Sequence, residues 1–167
     1  KLNLWRFLLI ACLTPLAIFA PSPANALLCT PILGCTCSVS ATALAFSMQP
    51  LNNTATDSTA SITVNCTGVI DALPSVAASF TSGQSGLFSD RIMNDGIRQL
   101  HYNFYTDANR TMIAGNGAGG TSTLTISGGL ITLGAWSRSA TLYGRIPAAP
   151  LTVPGNYADS ITVRIDY

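Results

Sequence analysis

An all-β domain of sandwich type is the fold this sequence predicts, and three observations carry the prediction. After residue 26 the chain holds six Arg and seven Asp but no Lys and no Glu. Two good helix formers are therefore missing, while Thr, Val and Ile supply side chains that suit a pleated surface. Nothing in residues 37–167 reads as an amphipathic helix with its caps; short alternating runs separated by turn residues recur instead. Finally, Cys29, Cys35, Cys37 and Cys66 remain after residue 26, a number that suits a disulfide-stapled domain in an oxidising compartment.

The elements follow in order. Lys1 and Arg6 precede an apolar run from Phe7 to Ala20, broken only by Thr14 and Pro15, and a small-residue site, Ala24-Asn25-Ala26, comes after it. This is the layout of a secretory signal peptide, with cleavage expected after Ala26. The run is too short, and its downstream flank too poor in charge, for a stop-transfer anchor. The expected organisation is a signal peptide over 1–26, a short N-terminal segment over 27–36 and one β-sandwich over 37–167, the size of a single ordinary domain. Six Arg against seven Asp give that part no electrostatic footprint for nucleic acid or an anionic membrane.

Strands are expected at Val39–Phe46 and at Ser61–Cys66, where Ile62, Val64 and Cys66 share a face. Ser75–Thr81 is ended by the Gly-containing stretch Ser82–Gly86. Gln99–Tyr105 alternates Leu100, Tyr102 and Phe104 against His101, Asn103 and Tyr105. Thr111–Ala114 is a short run before the loop Gly115–Gly120. Thr123–Ser127 and Leu130–Trp136 flank Gly128-Gly129, which reads as a two-residue hairpin. Ala140–Ile146 ends at Pro147, and Tyr157–Tyr167 is the last run. There Ile161, Val163, Ile165 and Tyr167 face one way, Ser160, Thr162, Arg164 and Asp166 the other. Those four apolar residues are expected to form an edge that a partner strand reads.

Residues that carry chemistry are few. His101 is the single histidine, its alternation neighbours are polar or amphipathic, and no nucleophile lies at a recognisable spacing. The spacing of Cys29, Cys35 and Cys37 also suits a metal site, but no His lies nearby and Cys66 stands alone, so bridges are expected, with three pairings open. Asp90-Arg91, Asp95 and Asp107–Arg110 suit turns rather than catalysis. Gly115–Gly120 has no Lys and no following helix pattern, so it is no phosphate loop. Tyr102, Phe104, Tyr105, Tyr143 and Tyr157 are expected in the core. Trp136, beside Ser137-Arg138 in an expected loop, is the best exposed candidate for stacking on carbohydrate. No catalytic residue, metal or cofactor is expected, and the chain is not read as an enzyme.

Four ordered blocks, CTCSVSATALAF (35–46), ITVNCTG (62–68), RIMNDGIRQLHYNFYTDANRT (91–111) and YGRIPAAPLTVPGNYADSITVRIDY (143–167), resemble the spore coat U domain. That family includes subunits of the archaic, Csu-type chaperone–usher pili. The resemblance implies an incomplete immunoglobulin-like β-sandwich, pilin-like and disulfide-stapled, with a Cys37–Cys66 bridge between its first two strands, which leaves Cys29 and Cys35 as the second pair. It also implies secretion via the periplasm to the cell surface or an extracellular fibre, in cell adhesion or biofilm formation. The implied partners are a periplasmic pilus chaperone, an usher and neighbouring pilus subunits. A sandwich lacking one edge strand exposes unpaired N–H and C=O groups over its core, and a strand from another chain fills the gap by β-augmentation.

Two departures from the family pattern matter. Ile113–Gly117 lacks a Trp often found there. Leu27–Thr36 is short, contains Pro31 and Gly34, and would be curled by a Cys29–Cys35 bridge. The chain is thus expected to receive a strand rather than donate one, which fits a tip-like or minor subunit. The alternative function is a free-standing secreted module that binds surface carbohydrate or serves in a coat.

Overall fold

The computed structural model describes residues 36–47, 54–71, 74–129, 132–148 and 153–166. The expected signal peptide, Cys29, Cys35 and Tyr167 lie outside them. Eight strands form among the described residues: β1 (Thr36–Ala41), β2 (Thr56–Asp71), β3 (Ser75–Phe80), β4 (Arg91–Asn94), β5 (Gln99–Tyr105), β6 (Leu124–Ser127), β7 (Thr132–Ile146) and β8 (Val163–Asp166). They make two antiparallel sheets, one ordered β1-β2-β7-β5-β4 and the other β6-β3-β8. The fold is the all-β sandwich that the alternating runs predict.

The alternation decides which face is buried. Ala60, Ile62, Val64 and Cys66 of β2 point inward, as do Val76, Ala78 and Phe80 of β3. Val69 is also fully buried although it is three residues beyond Cys66. A register shift between those two residues, with Gly68 at φ 73°, takes up the odd spacing. The sheets meet through side chains such as Phe80 and Phe104, whose rings stand edge to face with centroids 5.4 Å apart.

Cys37 sits directly opposite Cys66 in the β1–β2 register, and their sulfurs are bonded at 2.03 Å. The bridge ties the outermost strand of the larger sheet to its neighbour.

Expectations about β7, the glycine pair before it and Trp136 change. The runs expected at Leu130–Trp136 and Ala140–Ile146 join, from Thr132 onward, in one strand, β7, because Ser137, Arg138 and Ser139 pair with Asn65, Val64 and Thr63. The Ser139 and Thr63 hydroxyls lie 2.7 Å apart, and Ser137 Oγ donates to Asn65 Oδ1 at 2.6 Å. A polar run that reads as a loop is thus part of a paired strand, with Ser137 and Ser139 on its outer face. Gly128-Gly129 is no hairpin: β6 pairs with β3 in the smaller sheet, and the chain crosses there into the larger one. Trp136 is 3% exposed, its Nε1 donating to Gly128 O at 2.9 Å, so it offers no stacking surface.

A candidate strand-accepting groove between the first and last strands

β1 is the outer strand of one sheet and β8 of the other, and the two approach each other along a seam between the sheets. Each is paired on one side only. Their inward residues, Cys37, Val39, Val163 and Ile165, with Ile161 just before β8, pack on the core yet stay half-buried. In β3, by contrast, every second residue is fully buried. Among the described residues the seam therefore leaves part of the core uncovered, beside two strand edges whose outer N–H and C=O groups have no ladder partner.

A cleft of about 350 Å³ opens at one end of this seam, where β1 finishes at Ala41 and β8 begins at Val163. Its floor is Ile62, Met93, Tyr102 and Phe104, all buried. Ala41 to Leu44 form one wall; Tyr157 to Asp159, with Ile161 and Val163, form the other. The Ala41–Leu44 wall continues from β1: Thr42 donates to Ser61 O at 3.0 Å and accepts from Ser61 N at 2.8 Å through its hydroxyl. Ser58 Oγ donates to Ala45 O just beyond. Gly144 of β7 makes room for this wall, since a Cβ there would sit 2.7 Å from Leu44 Cδ2 and 2.9 Å from Phe46 Cζ.

The opposite wall is held from two sides. Asn94 and Ala158 exchange backbone bonds of 3.0 and 2.9 Å, tying it to β4. Gln84 Nε2 donates to Ala158 O at 3.0 Å, tying it to the loop after β3. The Tyr102 hydroxyl donates to Asp159 Oδ2 at 2.8 Å, and Asp159 Oδ1 accepts from the N–H groups of Gln84 and Ser160 at 3.0 and 2.8 Å. Burial, and then the bond to Asp159, push the Tyr102 hydroxyl above the ordinary tyrosine range, so it stays protonated and donates. The residues from 157 to 159 thus reach from the smaller sheet across to β4 and close one end of the cleft.

Other expected residues fall elsewhere. Exposed His101 Nδ1 lies 2.7 Å from Asp90 Oδ1 on the outer face of β5. Asp107 closes a turn, its carboxylate accepting from Thr111 N and Met112 N at 2.9 and 2.7 Å. Asp95 does the same for Ile97 N and Arg98 N. Asn103, expected on the outer face of β5, is buried. It turns inward because Arg91, also expected in a turn, lies fully buried and donates to Asn103 Oδ1 at 2.6 Å. Arg91 also reaches Thr81 O and Ala114 O at 3.1 and 2.7 Å, with its guanidinium 4.0 Å from the centroid of Phe104. Alternation pointed to Tyr102 and Phe104; no sequence signal pointed to Asp159, which belongs to no motif in the last run, or to the buried Arg91, whose pairing with Asp90 in sequence reads as a turn. Among the described residues no group of His, Cys, Asp and Glu could hold a metal ion.

No curated protein sequence matches this chain. The fold resembles that of a chain in the crystal structure of the CsuC–CsuE chaperone–tip adhesion subunit pre-assembly complex from the archaic chaperone–usher Csu pili of Acinetobacter baumannii. The TM-score is 0.51 at 15% identity, over 80% of this chain and 40% of that one. This chain therefore spans well under half the length of that structure, and the likeness is one of fold. At the level of sequence, the profile of the Spore Coat Protein U domain matches residues 24–164. A half-covered core between two strand edges, on an incomplete sandwich with a single bridge between β1 and β2, is thus found in a chain that belongs to the Spore Coat Protein U domain family.

Proposed function

We propose that this protein is a secreted structural subunit of a chaperone–usher surface fibre and that the β1–β8 groove accepts a strand from another chain. The observation that carries the reading is the uncovered core: apolar residues patterned for burial in β1 and β8 stay half-buried, and among the described residues no strand lies between them. An extended partner strand supplies the missing ladder bonds and seats alternate side chains on Ile62, Met93 and Phe104. A periplasmic chaperone would fill the groove first, and a neighbouring subunit would replace it after passage through an usher. The fibre is proposed to act in adhesion or biofilm formation, with this chain in a tip-like or minor position. Pro31 and Gly34 in the short segment 27–36 support that position, because they make the segment a poor donor strand.

Co-expression with a periplasmic pilus chaperone tests the reading. The expected result is a stable complex purified from the periplasm, disrupted when the chaperone's edge strand is replaced by prolines. A folded chain that is exported quantitatively alone, and that captures no chaperone, overturns it.

A further inference from the structure

Resting on the reading above, the geometry points to a partner strand that carries a Lys or Arg side chain at the closed end of the groove, where Asp159 receives it. Among the described residues that line the cleft, Asp159 alone is charged. Its Oδ1 is occupied by two backbone N–H groups, whereas Oδ2 accepts only the Tyr102 hydroxyl, and a carboxylate oxygen has room for a second donor.

Among the described residues no cation bonds to it. Arg91 is near enough to interact with Asp159 electrostatically, but its bonds go to Asn103, Thr81, Ala114 and Phe88. Arg98 pairs with Asp95, Arg110 and Arg145 with Asp57, and Arg164 with Asp166; Arg138 donates to Ser137 O.

The carboxylate is also held in place. Gly83, at φ 73°, lets the loop after β3 close on it; a Cβ there would lie 2.2 Å from Asp159 Oδ2 and 2.9 Å from Ile161 Cδ1. An incoming strand that ended here in an apolar side chain would strip water from the carboxylate without replacing it, and an acidic one would meet like charge. A basic side chain replaces the lost water with a charge-assisted bond. Because residues 157–159 cross to β4 at this point, the same contact fixes where the strand stops and hence its register.

The test uses the chain expressed with its own N-terminal segment and refolded with labelled nine-residue peptides of alternating Thr and Val. The peptides end in Lys or Glu, at either terminus. At low salt the wild-type protein is expected to hold one Lys-ended peptide roughly tenfold tighter than its Glu-ended counterpart, and the difference should shrink in 1 M salt, as charge contacts do. D159N should bind both peptides alike. Equal binding of Lys- and Glu-ended peptides by the wild type, or a preference that survives in D159N, overturns this inference and leaves the groove standing. Failure to bind any alternating peptide overturns the groove reading itself, and this inference with it.

Discussion

Arg91 is the one charged side chain that is fully buried among the described residues, and its partners are carbonyls rather than carboxylates. Burial draws it down to about 10, so it is still charged at neutral pH. The folded state holds that proton less firmly than the unfolded chain, so its burial costs stability at every pH below about 10 and the cost fades only above. Hydrogen bonds and the Phe104 ring offset the cost. Arg91→Met leaves the Thr81 and Ala114 carbonyls without their Arg91 donor and Asn103 Oδ1 with only the Phe104 N–H, and should lower unfolding free energy by about 3 kcal/mol. Asn103→Ala should cost roughly 1–2 kcal/mol. Urea midpoints measure both. At the surface, Asp57 lies below the ordinary carboxylate range, first because Arg145 donates to it at 2.7 and 2.9 Å. A lowered carboxylate stabilises the fold above its unfolded value and loses that contribution as pH falls through and below it. The pair is 40% exposed on each side, so solvent screening keeps the effect under about 1 kcal/mol. Asp57→Asn should flatten the fall in urea midpoint below about pH 4, and an unchanged acid limb would remove Asp57 as its cause.

Among the elements, β8 separates packing from partner reading. Val163 pairs with Phe80 and Ile165 with Ala78 in the smaller sheet, while their side chains stay half-buried toward the seam. Changing Val163 and Ile165 together to Asp places charge on the uncovered core. The expected outcome is loss of chaperone co-purification from a chain that still forms the Cys37–Cys66 bridge and keeps its β circular dichroism. Retained capture by that folded variant would remove β8 from the accepting edge. The opposite wall depends on a missing side chain. Gly144→Val should displace Leu44 and Phe46, whose atoms lie within 3 Å of the new Cβ, and weaken capture of a strand more than it lowers the urea midpoint.

At the scale of the whole molecule, the single bridge among the described residues spans a sequence separation of 29 and anchors β1, which flanks the groove. In the chain-entropy account a loop of that length contributes roughly 3–4 kcal/mol. Replacing Cys37 and Cys66 together by Ser should therefore lower stability by about that amount, read from denaturant midpoints. It should also release β1 first, visible as faster amide exchange in residues 36–41 than in β3. Uniform loss of protection across both sheets would show that the bridge stabilises the sandwich globally rather than its edge.

Much of this was legible in residue order. The period-2 runs of Gln99–Tyr105, Ser75–Thr81 and Tyr157–Tyr167 name strands because side-chain direction in a strand is a local property, although Asn103 leaves the face its run assigns and, among the described residues, only Val163–Asp166 of the last run is strand. The resemblance of four blocks supplied the Cys37–Cys66 pairing, and their order supplied the family. Pairing partners were not legible. That β6 joins β3 rather than turning at Gly128-Gly129 into β7 depends on contacts between residues far apart in sequence. So does the continuity of β7 through Ser137-Arg138-Ser139, whose polar side chains are stable in a strand only because Thr63 and Asn65 lie opposite. Burial of Arg91 and Trp136, and the meeting of Tyr102, Gln84 and Asp159 at the end of the groove, belong to tertiary structure for the same reason. A polar or aromatic side chain is buried where distant carbonyls or hydroxyls satisfy it, and local sequence carries no record of which distant groups those will be.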